Sequence, residues 1–338
     1  RRRHTRYPLV TGVQTCALPI SSQAPGPNPI HNAFDAFMKS SSPGVSSVLQ
    51  SLRDKLLLNE DINFLLTNRV PRILLTRLMG RVSKVRCRPL ARALIATWRL
   101  FADLDLSEAR HTTFDSLHDC FVRELRPGAR PVDADPSVLA SPCDAIVGAM
   151  GEAQGTEVFQ AKGFPYSIED LMGGAKAADP FRNGCYVTLR LTSSMYHRFH
   201  APDDGHVREV TYISGDTWNV NPIALRRVER LFCRNERVVI RMALADGRPV
   251  ALVAVAAILV ASVRLHFLNV LLHLRWRGPN LIPCEHQVRR GEELGWFEHG
   301  STIILFAPPG FKPCPGIDRK STRLNSSHEW ISRMPSSA

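Results

Sequence analysis

The sequence predicts an α+β fold, an N-terminal helical layer packed on a mostly antiparallel β domain. Two patterns carry this reading. Up to about residue 125, apolar residues recur at spacings of three and four. After Arg126-Pro127-Gly128 they fall into short β-type runs, several of them separated by Pro and Gly turns. The 338 residues are ample for a sizeable core, and 44% apolar with 22% charged residues is the composition of a folded chain.

The two ends stand apart from this pattern. Val10–Ile20 can be back-translated to a DNA whose reverse complement encodes Asp318–His328. One oligonucleotide in opposite orientations therefore accounts for both, and it has the character of a sequencing-library adapter. Residues 1–20 and 318–338 are expected to be adapter-derived and lie outside the fold reasoning. They hold half of the formal charge of +12, which leaves +6 on residues 21–317. A basic balance of that size suits an anionic membrane surface and removes most support for a nucleic-acid partner.

Eight cysteines form no Cys-x-x-Cys pair, so neither a zinc site nor a disulfide framework is expected, and reduced cytosolic thiols are. The longest uncharged apolar run, Pro249–Val263, is short for a bilayer span and suits a buried strand pair. No secretory signal is recognisable.

Residues 21–58 read as a mobile lead-in, rich at first in Ser, Pro, Gly and Asn. Residues 59–126 are expected to form a helical, membrane-facing region. Pro71 suits a helix start, with Ile73, Leu74, Leu75, Leu78 and Met79 on one apolar face. Arg69, Arg72, Arg77, Arg81, Lys84, Arg86 and Arg88 surround that face. Such a helix can lie in a membrane interface; an ordinary surface helix with a solvated basic face has the same pattern. A second helix is predicted over Thr113–Leu125, where Phe114, Leu117, Phe121 and Leu125 share a core-facing side.

Residues 127–317 are expected to form the β-rich catalytic domain. Cys185–Thr192 alternates, with Val187, Leu189 and Leu191 on one face and Thr188, Arg190 and Thr192 on the other. Val207–Tyr212, Arg237–Leu244, Val250–Val263 and Thr302–Phe306 are further strand candidates. No repeat at fixed spacing and no Gly-rich phosphate loop is visible.

Three stretches could carry chemistry. Tyr196-His197-Arg198-Phe199-His200 spaces two histidines by three, but it follows a strand pattern and lacks a third ligand, so no metal site is expected. Glu298-His299-Gly300-Ser301-Thr302 sets a hydroxyl nucleophile beside the unhindered Gly300 carbonyl, although Gly-Ser-Thr also marks ordinary turns. Asp144, in Ser141-Pro142-Cys143-Asp144, completes an acid, base, nucleophile order with His200 and Ser301. In such a trio a carboxylate orients an imidazole, which takes the serine proton. No Gly-x-Ser-x-Gly elbow is present, which argues against an α/β-hydrolase, while a serine hydrolase using this trio stays open.

Seven motifs stand in order along the chain. The first two are Asn63-Phe64-Leu65-Leu66-Thr67-Asn68-Arg69-Val70-Pro71-Arg72 and Phe114-Asp115-Ser116-Leu117-His118-Asp119-Cys120-Phe121-Val122-Arg123-Glu124-Leu125. Then come Arg130-Pro131-Val132-Asp133, Ser141–Asp144, Tyr196–His200, Asn235-Glu236-Arg237-Val238-Val239 and Gly300-Ser301-Thr302. Together, over roughly Asn59 to Gly310, they resemble the phosphatidylserine decarboxylase family, pyruvoyl-dependent enzymes that make their own cofactor.

The resemblance implies self-cleavage at Gly300-Ser301, with Ser301 as precursor of a covalent pyruvoyl group. Ser301 Oγ would attack the Gly300 carbonyl, with His200, held by Asp144, as base in this step or in the β-elimination that follows. The products would be a β chain ending at Gly300 and an α chain headed by the pyruvoyl group. A Schiff base to that group would let phosphatidylserine lose CO₂ and leave as phosphatidylethanolamine. His200 is then the candidate proton donor and His197 a candidate substrate contact. The implied partners are phosphatidylserine and an anionic membrane surface, with a homodimer allowed for. The implied location is the periphery of a bacterial membrane, on its cytoplasmic face. A non-catalytic lipid-surface binding protein of the same fold is the alternative.

Two departures from the family pattern stand out. The family motif at the acid reads Ser-Pro-Ala-Asp-Gly, whereas Cys143 and Ala145 flank Asp144 here, and alanine is disfavoured if that position needs a positive φ. With the adapter beginning at Asp318, the α chain is also expected to lack strands, which would bare a sheet edge.

Overall fold

A fully buried strand, Ser301–Ala307, lies near the middle of the molecule because every residue in it is small, β-branched or apolar. In the computed structural model it pairs antiparallel with Cys185–Leu191 on one side and Pro249–Ala256 on the other. The structure describes residues 60–68, 71–160, 164–259, 262–273, 276–298, 301–313, 321–322 and 331–333. These belong to one compact unit, Asn59–Ala338.

The main sheet has eight strands. Its order is Leu281–Val288, Gly205–Ile213, Arg237–Leu244, Pro249–Ala256, Ser301–Ala307, Cys185–Leu191, Ala145–Glu152 and Ser321–Thr322. All pairings in it are antiparallel. Apolar side chains cover both faces. Val187, Leu189, Leu191, Ile303 and Leu305 belong to one core, while Tyr186, Val253, Val255, Ile304 and Phe306 belong to the other. Each fully buried aliphatic side chain contributes about 2 kcal/mol by leaving water. The alternation predicted over Cys185–Thr192 is therefore real, yet Thr188 on its second face is buried as well.

A second sheet of four strands carries the histidine motif. Its order is Val270–His273, Ser262–Leu265, Glu293–Phe297 and Arg198–His200. Pro249–Val263, expected as one buried strand pair, instead supplies Pro249–Ala256 to the main sheet and begins Ser262–Leu265 in the other. Both segments bury apolar residues, so their composition alone does not reveal that the chain changes sheets between them.

Among the described residues the sheets are preceded by α1 (Glu60–Asn68), α2 (Arg72–Val82), α3 (Arg88–Phe101) and a shorter fourth helix. The helix expected over Thr113–Leu125 shrinks to α4, Leu117–Phe121. Ser116 caps it by accepting from Asp119 N at 3.0 Å, which fixes its start. Beyond it, Leu125 forms an isolated bridge with Ala109, so that backbone serves a different pairing. Of the four residues assigned to the core face, Phe121 is buried.

Helix α2 presents an unusual face to the sheets. Its buried side chain is Thr76, whereas Ile73, Leu74 and Leu78 are exposed. Polar contacts hold it in place. Arg72 makes two bonds to Asp216, Nε–Oδ1 at 3.2 Å and Nη2–Oδ2 at 2.6 Å, and lies 3.8 Å over the Trp218 ring. Thr76 Oγ1 accepts from Leu259 N at 2.9 Å. No helix among the described residues is long and apolar enough to cross a membrane.

The edge beside Ala145, expected to be bare, is met here by Ser321–Thr322 from the stretch read as adapter-derived, with Ala145 opposite Thr322 and Ile146 opposite Ser321. Ile331–Arg333 likewise pairs with both Val138–Leu139 and Phe311–Pro313. Ala145 itself opens a strand and is not among the residues of positive φ, so alanine is unstrained where the family pattern has glycine.

Candidate active site

Ser301 is the first residue of the central strand, directly opposite Leu191 and Ala256. It is fully buried, and its Oγ has no hydrogen-bond partner among the described residues. A buried hydroxyl without a partner costs about 1–3 kcal/mol; Thr302 Oγ1 and Thr217 Oγ1 share this state, so it does not by itself single Ser301 out. Residues 299 and 300 lie outside the described residues, and with them the expected scissile carbonyl of Gly300.

His200 ends the short strand Arg198–His200, opposite Glu293. That register follows from a bulge between Glu293 and Gly295. A side chain at Gly295 would run into the Arg264 carbonyl, so glycine is what permits the strands to approach there. His200 Nδ1 lies 2.8 Å from the Gly291 carbonyl oxygen, and its Nε2 lies 3.3 Å from the Tyr196 hydroxyl. A carbonyl only accepts, so Nδ1 carries the proton and Nε2 of the neutral ring holds the lone pair. Burial is the largest influence on His200 and lowers its pKa. The Gly291 bond and the carboxylates of Glu293 and Asp144 act the other way. The ring is thus held neutral, with its basic nitrogen facing a tyrosine.

Asp144 is arranged differently from the expectation. Arg130 grips its carboxylate through Nε–Oδ1 at 3.0 Å and Nη2–Oδ2 at 2.8 Å, and also bonds Glu108 Oε2 at 3.0 Å. The group that orients the His200 ring is the Gly291 carbonyl, while Asp144 acts on His200 through its charge. The reason is geometric: Arg130 matches a carboxylate with two parallel donors, which a single imidazole N–H cannot do.

His197 is fully buried, with Nδ1 2.8 Å from the Met195 carbonyl oxygen and its ring 4.0 Å from Phe121. Next to it, Arg198 ties the two layers together. It donates to the Val122 carbonyl from Nε at 2.9 Å and Nη2 at 2.8 Å, and to Glu293 from Nη1 at 2.9 Å.

A cleft of about 260 Å³ opens beside His200, lined by residues that include Glu124, Arg126, Arg130, Tyr196, Gly291 and Glu293. His200 therefore faces a space that can admit a small polar group. Ser301 does not line that cleft, and no hydrogen bond among the described residues joins it to His200. The structure brings His200, Tyr196 and the Arg130–Asp144 pair together at this cleft, while Ser301 heads a strand of the main sheet and His200 ends a strand of the other. Arg130 and Tyr196 were within quoted motifs but had no assigned role; only the fold shows what each one touches.

A buried serine at the head of a central strand and a buried histidine at the end of a strand in the neighbouring sheet are the site that this α+β fold presents. The sequence model of the family described as "Phosphatidylserine decarboxylase" matches residues 117–323. The phosphatidylserine decarboxylase proenzyme of Vibrio cholerae serotype O1 is 38% identical over 249 residues, covering 70% of this chain and 87% of that one. That of Photobacterium profundum is 36% identical over 248 residues, covering 70% and 85%. That of Erwinia tasmaniensis is 34% identical over 279 residues, covering 76% and 90%. This chain belongs to the phosphatidylserine decarboxylase family.

Proposed function

We propose that this chain is a proenzyme that cleaves itself before Ser301 and then decarboxylates phosphatidylserine to phosphatidylethanolamine. The observation that carries this reading is the family match over residues 117–323, which takes in the buried Ser301 at the head of the central strand, in a chain whose relatives are named proenzymes.

Cleavage uses the chain's own atoms. Ser301 Oγ attacks the Gly300 carbonyl carbon, the Gly300–Ser301 C–N bond breaks, and an ester with a free Ser301 amine results. Removal of the Ser301 α-proton then expels the Gly300 carboxylate and leaves a dehydroalanine at 301. Water adds to the imine form of that residue, and ammonia leaves. The product at 301 is a pyruvoyl group, which heads an α chain and leaves a β chain that ends at Gly300.

His200 serves as base because its Nε2 lone pair is available on the neutral ring; taking a proton requires Tyr196 to release that nitrogen. The negative charge of Asp144 favours the imidazolium that forms, and Arg130 fixes where that charge sits. His197 is the candidate substrate contact. The partnerless Ser301 Oγ fits the residue from which the group is made. The pyruvoyl ketone supplies an electrophile for the substrate amine and a sink for the electrons that departing CO₂ leaves behind.

Residues 59–126 make up the membrane-facing part in this reading, and residues 127–317 the catalytic part. Peripheral attachment to a membrane is supported by the exposed Ile73, Leu74 and Leu78 beside Arg77 and Arg81, and the reading places it on the cytoplasmic face of a bacterial membrane.

The test is release of CO₂ from phosphatidylserine vesicles by the purified full chain, with and without hydroxylamine, which attacks a ketone. Release that hydroxylamine abolishes is the expected result. Vesicle binding with no CO₂ released would contradict the reading.

A further inference from the structure

The segment that runs into the Gly300–Ser301 bond is anchored at Glu298. Its carboxylate is 11% exposed and meets Lys84 Nζ at 2.6 Å. A carboxylate buried to that degree needs a charged partner. The partner comes from the turn just after α2, whose C-cap Ser83 accepts from His118 N at 2.9 Å. His118 completes the cluster. Burial lowers its pKa most, Glu298 acts to raise it, and Lys84 acts to lower it.

The backbone is tied on the same side. Glu298 N donates to the Ser262 carbonyl at 3.2 Å, just past the loop that leaves Ala256, the strand partner of Ser301. Leu259 in that loop has φ +70°, a conformation leucine rarely adopts, and its N–H is held by Thr76 of α2. The end of α2 and its turn therefore hold both segments that flank Ser301. Hydroxyl attack on a neighbouring carbonyl is steeply sensitive to alignment, so fixing these segments is a means to rate.

We propose that Lys84 and Glu298 are positioning residues for self-cleavage, their ion pair fixing Glu298, three residues before Ser301, and so the approach of the chain to the bond that is cut. The proposal rests on the self-cleavage reading above. It assigns the helical layer a part in processing as well as in docking.

The experiment follows cleavage of the full chain in time after cell-free synthesis, on a denaturing gel. Lys84→Met and Glu298→Gln are each expected to lengthen the half-time by roughly three- to fivefold, the range of a half-exposed pair. The exchanged pair Lys84→Glu/Glu298→Lys is expected to recover most of the rate. Glu285→Gln, which breaks the exposed Arg208–Glu285 pair at the far edge of the main sheet, is the control and leaves the rate unchanged. Melting temperatures are taken for each variant in a Ser301→Ala background, where every chain stays whole. A slowed cleavage at unchanged melting temperature marks positioning rather than stability. Should Glu298→Gln not fold, Lys84→Met, at the 42% exposed partner, carries the test. Single variants that cleave at the wild-type rate would overturn the proposal, as would an exchanged pair no faster than the singles. A wild-type chain that never cleaves would sink the proposed function as well, and that outcome is distinct from both.

Discussion

Arg130 and Asp144 meet through two parallel hydrogen bonds, 3.0 and 2.8 Å long, with both side chains at 10% exposure or less. Removing one member of a buried pair leaves the other charge without compensation, at about 3–5 kcal/mol. Arg130→Met in the uncleaved Ser301→Ala chain should lower unfolding stability by roughly that amount in a urea titration. Arg130→Lys should fall in between, because it keeps the charge and loses the fork. Equal stability of all three chains would show that the pair is not what holds Asp144.

In the proposed reaction His200, as the base, sets the pH dependence of cleavage. Its pKa is lowered, chiefly by burial, so the neutral base persists to lower pH than for an ordinary histidine at about 6.5. The rate of appearance of the two chains should rise with pH and level off with a midpoint below that value. The sign for stability is the same. Below about pH 6.5 the unfolded chain takes up a proton that the folded site resists, so this contribution is lost as pH falls. His200→Gln should abolish cleavage while removing that acid sensitivity from the melting curve.

Glu236 makes the opposite prediction. It is almost fully buried, accepts from the Tyr212 hydroxyl at 2.8 Å, and burial pushes its pKa up to about 8. Its unfolded value is about 4.5, so the folded state binds the extra proton between the two. Stability from this group is therefore present at low pH and is lost as pH rises from about 4.5 to about 8. Glu236→Gln, neutral throughout, should flatten that part of the stability profile. An unchanged profile would mean that Glu236 is ionised in the fold.

Leu74 and Leu78 are 62% and 53% exposed on α2, on the side away from Thr76. Leu74→Glu/Leu78→Glu should weaken binding to anionic vesicles in a sedimentation assay by tenfold or more, since it removes apolar insertion and adds two repelled charges; about 1.4 kcal/mol gives each tenfold. Cleavage and melting temperature should stay as in the parent chain. Loss of both would show that this face packs against the protein.

Much of the fold was legible because its strands are written in residues with one plausible home. Ile303-Ile304-Leu305-Phe306 can only be interior, and Cys185–Leu191 alternates as a strand should, although it is buried on both faces. The order Asp144, His200, Ser301 was legible too, as a motif set. What each residue touches was not, because those partners come from distant stretches. Gly291, 91 residues away, orients His200, and Arg130 from the start of the β region claims Asp144. The helix over Thr113–Leu125 failed for a local reason, since a 3-4-4 apolar spacing cannot see that Ser116 caps the helix and that Leu125 pairs with Ala109. The apolar residues Ile73, Leu74 and Leu78 of α2 are exposed, and the contacts that turn that face outward, Arg72 to Asp216 and Thr76 to Leu259, span more than a hundred residues.

The central claim is that Ser301 becomes the first residue of a new chain. Intact-mass measurement of the purified full chain tests it most directly. The expected result is two polypeptides, a β chain that ends at Gly300 and an α chain lighter than its serine-headed sequence by the conversion to pyruvoyl, with Ser301→Ala giving one chain of full mass. A single wild-type chain of full mass, with an unmodified Ser301, would contradict it.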